Sequence, residues 1–165
     1  MDTTNSTTND TTNIHPVISK ILKKRNISND DIADFFSWDL RSLPDLTHMK
    51  DLEKSALRII QAIENKEKIG IYGDYDVDGC TSCALLFQFF KLHHTHVELF
   101  QPSRFIEGYG IHHSSIEDAI ENNVKLLIYV DCGITYCETA EYAIERDIVL
   151  IITEHHKDIQ EEMPI

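Results

Sequence analysis

A chain of 165 residues with 42% hydrophobic and 26% charged side chains holds enough apolar material for one real core. No apolar run reaches the ~20 residues needed to cross a bilayer, which excludes a helical membrane span, and a formal net charge of -13 excludes a broad phosphate-binding surface of clustered Lys and Arg. Four cysteines are too few for a disulfide scaffold, and Met1 to Asn13 lack the basic start and apolar stretch of a secretory signal, so free thiols and a cytoplasmic setting are expected.

In chain order, residues 1–15 carry too little apolar surface to offset ordering entropy and are expected to form a disordered tail. Pro16 suits a first helical position, and Val17, Ile18, Ile21 and Leu22 predict a short helix ending near Arg25. A second short helix is predicted from Ser28 as N-cap, with Ile32, Phe35 and Phe36 facing inward and Trp38 packing near them. Met49, Leu52, Ala56, Ile59, Ile60 and Ile63 then keep helical spacing and predict a longer amphipathic helix up to Lys66. Residues 16–66 thus read as a helical amino-terminal region.

From residue 67 to 165 the pattern alternates. Apolar runs at 68–73, 97–101, 125–130 and 148–153 are short and rich in Ile, Val or Tyr, which predicts buried strands. Helices are predicted between them at 80–92, 114–122 and 136–146, the last two opening with capping-box spacing, Ser114 to Glu117 and Thr135 to Glu138. Strand and helix in alternation, with strands apolar on both sides, predict an α/β fold: a parallel sheet with flanking helices, preceded by a short helical region. In such sheets ligands sit at the carboxyl ends of the strands.

Acidic and imidazole groups collect at those ends. Asp74, Asp76 and Asp78 follow the first strand at every second position, Asp131 follows the third, and Glu154, His155 and His156 follow the fourth. Crowded carboxylates repel one another, and a divalent cation relieves that repulsion. Gly79 and a helix start at Cys80 would offer backbone N–H groups to a phosphate. Alone, the first cluster also reads as a solvated acidic turn and Asp131 as a cap. Three clusters on one edge point instead to a shared metal site, and oxygen donors with a few imidazoles suit Mn²⁺ or Mg²⁺ better than structural zinc. The chemistry this predicts is two-metal phosphoryl transfer to water. A Cys80/Cys83 redox pair is opposed by the acidic loop before it. A zinc site that also uses Cys132 and Cys137 lacks paired spacing, and His93, His94 and His96 read as helix-end residues.

The string Ile71-Tyr72-Gly73-Asp74-Tyr75-Asp76-Val77-Asp78-Gly79 resembles the first motif of the DHH phosphoesterases in their RecJ form. Pro102-Ser103-Arg104-Phe105 with Gly108-Tyr109-Gly110 resembles the loop after the second strand of that family, and Val130-Asp131-Cys132-Gly133-Ile134 resembles its second motif. Glu154-His155-His156 stands where the family has Asp-His-His. The resemblance covers about residues 17 to 165 and implies a partial DHH domain over 67–165. It implies Asp76, Asp78, Asp131 and His155 as ligands of two Mn²⁺ or Mg²⁺ ions, with Asp131 bridging. Asp74 would support that set, His156 would meet the scissile phosphate, and Arg104 would meet a phosphate or brace its loop.

The implied activity is a 5'-3' exonuclease on single-stranded DNA, in DNA repair and recombination, beside repair or replication proteins. Alternatives within the resemblance are another DHH phosphodiesterase or oligoribonuclease, and a non-catalytic replication scaffold that keeps the fold without metal. Outside it, a receiver domain shares the acidic strand ends but gives no reason for the paired histidines. Glu154 adds a methylene to the family Asp, which is expected to displace a supporting hydrogen bond and weaken metal binding about 10 to 100-fold. The family continues past the position of Ile165 with a further ligand Asp and more domains, so a truncated product inactive alone is expected.

Overall fold

A computed structural model of the protein describes residues 14–37, 41, 43, 45–93, 95–102 and 111–156. Arg104 and the Ser103 to Gly110 loop, Trp38, His94 and the tail to Asn13 lie outside the described residues. The chain divides into two compact units, residues 1–49 and 50–165.

The first unit holds α1 (Pro16–Lys24), α2 (Ile32–Phe35) and a 3₁₀ turn at Leu46–His48. Pro16 opens α1, where its missing N–H costs nothing, and the His15 ring accepts from Val17 N–H. Ser28 does not cap α2. Its hydroxyl accepts from Asp31 N–H at 3.2 Å, closing a turn of its own, and the helix starts after Asp31. Phe35 and Phe36 are exposed, 51% and 37%, rather than inward-facing; a four-residue helix is too short to present one buried face, and the two rings meet edge to face.

The second unit runs α3 (Leu52–Glu64), β1 (Lys68–Gly73), α4 (Val77–Leu92), β2 (Val97–Phe100), α5 (His113–Glu121), β3 (Val124–Val130), α6 (Cys137–Ile144) and β4 (Val149–Thr153). All pairings are parallel, in the order β2-β1-β3-β4. Successive strand residues point to opposite faces, and the core divides accordingly. Ile69, Ile71, Leu126, Ile128 and Val130 meet Ala62 of α3 and Cys83 and Phe90 of α4 on one face. Tyr72, Leu127 and Tyr129 meet Ile116 and Ala119 of α5 and Ala143 of α6 on the other. Each such aliphatic side chain stabilises the fold by about 1.5 to 3 kcal/mol when fully buried. The helix read from sequence as the end of the amino-terminal region, α3, therefore packs on the sheet.

Neither capping box forms. α5 starts one residue early, so Ser114 is already helical and His112 is the cap position, while Thr135 lies two residues before α6. Among the described residues no helix is long and apolar enough to cross a membrane. A groove lined by Lys54, Arg58, Ile144 and residues 147–152 borders β4, whose one partner strand among the described residues is β3.

Candidate metal centre

Register sets the site. Gly73 of β1 is level with Val130 of β3, and Val130 with Thr153 of β4, so three strands deliver their next residues to one edge at the same height. The ladder runs past the strand ends. Asp131 N–H donates to Thr153 O at 2.9 Å, and the Thr153 hydroxyl donates to Tyr129 O at 3.0 Å. Asp131 itself adopts a left-handed backbone (φ 59°), a conformation that Asp and Asn enter more readily than other side chains.

After β1, Asp76 is the N-cap of α4, with extended backbone and a carboxylate oxygen accepting from Gly79 N–H at 2.9 Å. That bond satisfies one of the orphan N–H groups of a helix start. It moves the start to Val77, three residues before the expected Cys80, so Gly79 is a first-turn helical residue and not a turn. Glycine is needed there for closeness: a Cβ would lie 2.5 Å from Asp74 O. Asp78 projects from the same first turn, where the helix dipole favours a negative charge.

The structure brings four of the expected residues together. His155 Nε2 lies 2.9 Å from Asp131 Oδ1 and 3.5 Å from Asp78 Oδ2, and His156 Nδ1 lies 4.0 Å from Asp131 Oδ1. Asp131 is buried, its side chain 5% exposed, whereas the side chain of His155 is 67% exposed. One ligand atom each from Asp131, Glu154, His155 and His156 falls within 4.8 Å of the others, and among the described residues the four cysteines make no comparable grouping. Asp76 spends an oxygen on its cap. Buried Asp74 accepts from Tyr75 N–H at 2.6 Å.

One contributor, Gln101, carried no sequence signal, and Glu154 is held in a way its sequence did not show. Gln101, just past β2, donates through Nε2 to Asp74 O at 3.2 Å and lies 3.1 Å from Cys80 Sγ, tying the acidic loop to the neighbouring strand. Glu154, expected to displace a supporting hydrogen bond, makes three of its own. The longer side chain reaches back, and one oxygen accepts from His155 N–H (2.9 Å), His156 N–H (3.1 Å) and His156 Nδ1 (2.5 Å).

Burial pushes the Asp131 carboxyl above its usual value of 3.8; the His155 bond offsets this in part, and Asp78 and Asp76 add to it. Burial would also raise Glu154, but the His156 ring and the two backbone N–H bonds outweigh it and leave that carboxyl lowered. Glu154 in turn raises His156 above 6.5. Burial holds the thiols of Cys83 and Cys132 up at about 11 and about 12, which leaves these two little thiolate for redox chemistry. A buried carboxylate held against its own ionisation, ringed by imidazoles and further carboxylates, is a donor set that a hard divalent cation satisfies.

The DHH family, N-terminal domain, matches residues 68–165. The single-stranded-DNA-specific exonuclease RecJ of Bacillus subtilis (strain 168) is 36% identical over 145 residues, covering 87% of this chain and 18% of that protein. RecJ of Haemophilus influenzae (strain ATCC 51907 / DSM 11121 / KW20 / Rd) is 32% identical over 143 residues, 86% of this chain and 24% of that one. Among solved structures, an exonuclease RecJ bound to manganese superposes with a TM-score of 0.68 at 30% identity, over 74% of this chain and 31% of the other. The chain thus spans between 18% and 31% of the length of these relatives. With a family match across the whole sheet and every strand end that feeds the cluster, this chain belongs to the DHH family.

Proposed function

We propose that this chain carries the metal-binding part of a two-metal phosphodiesterase that acts as a RecJ-like 5'-3' exonuclease on single-stranded DNA in the cytoplasm, alongside DNA-repair or replication proteins. One observation carries the reading: buried Asp131 sits 2.9 Å from His155, which itself lies 3.5 Å from Asp78, at the level ends of three strands. Asp76, Asp78, Asp131 and His155 would hold two Mn²⁺ or Mg²⁺ ions. Such ions supply Lewis-acid neutralisation of charge at phosphorus and lower the pKa of water.

The chain's own residues do the rest. Asp131 is fixed by the strand ladder, so it offers its carboxylate without reorganising, and Gln101 and Gly79 hold the loop that presents Asp78. His156, anchored by Glu154 and half exposed, would meet a phosphate oxygen; Asp74 would support the ligand set; Arg104 is assigned a phosphate contact on resemblance alone. A net charge of -13 leaves little to attract a DNA backbone, so the 165 residues alone are proposed to bind ions but not release nucleotides.

Calorimetric titration with Mn²⁺ tests the site. Wild type is expected to bind and Asp131→Asn, which keeps shape and backbone preference, to lose about a hundredfold, ~2.7 kcal/mol. Equal binding by both chains refutes the assignment. Release of nucleotides from 5'-labelled single-stranded DNA by the chain alone refutes its inactivity.

A further inference from the structure

Glu154 concentrates three hydrogen bonds on one oxygen, and two of them come from the same residue: His156 gives both its backbone N–H (3.1 Å) and its ring Nδ1 (2.5 Å). The carboxylate is almost fully covered, 5% exposed, while the ring it holds is 51% exposed. A histidine gripped at backbone and Nδ1 has little freedom about its side-chain torsions. An anionic acceptor at Nδ1 also requires a proton there in either charge state of the ring, and the partner of one ring nitrogen decides what the other does.

We infer that Glu154 is a positioning residue: it fixes His156 with a proton on Nδ1 and so commits Nε2 as the ring atom left for the site, a lone pair for an ion while the ring is neutral and an N–H for a phosphate oxygen once it is protonated. The inference rests on the metal-site reading for the word "site", though not for the state of the ring. The extra methylene of Glu154 is then a working part of the arrangement. It carries the carboxylate far enough to take the ring as well as the two N–H groups that follow it. His155 is held differently, with Nε2 directed at Asp131 and Asp78, so the adjacent imidazoles present themselves by different routes.

The test uses the metal-free 165-residue chain, its imidazole nitrogens observed by long-range proton–nitrogen NMR, in wild type, Glu154→Gln and Glu154→Ala. Wild type is expected to show His156 only as Nδ1–H when neutral, and Glu154→Ala to show both tautomers. Isosteric Glu154→Gln keeps a weaker acceptor, so it is expected to fall between them even if the alanine variant does not fold. In parallel Mn²⁺ titrations, Glu154→Ala is expected to bind about 10 to 100-fold more weakly and Glu154→Gln to lose less. An unchanged His156 tautomer in both variants overturns the inference. So does a Glu154→Gln chain that loses Mn²⁺ as completely as Asp131→Asn, because Glu154 is then a ligand. If Asp131→Asn leaves Mn²⁺ binding intact, the metal reading fails alone, and the ring measurement still decides the role of Glu154.

Discussion

β3 and β4 lie side by side in register, yet they deliver their functional residues under different conditions. β3 is paired on both edges and buried at every position but Lys125; among the described residues β4 pairs with β3 along one edge, and only Ile151 of it is buried. The difference continues into the site: the carboxylate after β3 is 5% exposed, and the rings after β4 are 67% and 51% exposed. A buried carboxylate on a doubly paired strand is an anchor. The exposed imidazoles follow a strand paired, among the described residues, along one edge, and their positions come from side-chain bonds to Asp131 and Glu154 rather than from the sheet.

The sharpest way to break this contrast is to truncate each strand. Leu127→Ala removes a fully buried side chain of β3 and is expected to cost about 2 to 5 kcal/mol in urea denaturation, against about 1 to 2 kcal/mol for half-buried Ile152→Ala in β4. Equal costs would mean that the sheet is no stiffer under Asp131 than under the histidines. Gly79→Ala comes next. Its Cβ is pressed against Asp74 backbone, which has no rotamer to yield, so a loss of about 1 to 3 kcal/mol and weaker Mn²⁺ binding through displaced Asp78 are expected. Unchanged denaturation and titration curves would show that the loop gives way freely.

Acidity separates the two arms more gently. Asp131 has a raised folded pKa, so between 3.8 and that value the folded chain binds more protons than the unfolded one. Metal-free stability is therefore expected to rise as pH falls through this window, and Mn²⁺ affinity to fall, because ion and proton compete for the same oxygens. Asp131→Asn should flatten the stability trend; a trend that survives the substitution belongs to other groups. The smallest effect is expected at the edge. Val149, 41% exposed beside the groove, should accept Lys within about 0.5 kcal/mol either way, and a larger loss would show that this edge is more tightly packed than its exposure indicates.

Most of the sheet was legible because four short runs of Ile, Val, Leu and Tyr have one physical reading when helices separate them. The convergence of Asp78, Asp131 and His155 followed from topology, since a parallel sheet leaves its carboxyl ends on one side. What escaped was local competition and long-range closure. Gly79 looked like a turn because glycine is a turn residue, whereas Asp76 had already started the helix and Gly79 was needed for contact with Asp74. Ser114 and Thr135 had the spacing of caps, but each helix began elsewhere. Gln101 reaches a carbonyl 27 residues away, and no window of sequence encodes such a bond.

The tie between Asp131 N–H and Thr153 O bears on ion choice. It joins the two segments at their roots, which would restrain the backbone frame against cations of different radius. Mg²⁺ insists on oxygens at about 2.0 to 2.1 Å in near-octahedral array and parts with water reluctantly, while softer first-row ions accept imidazole nitrogen more willingly. If Asp78 and His155 are ligands, as proposed, accommodation would fall to these exposed side chains, and preference between the metals would become a property of two rotamers at the solvent boundary.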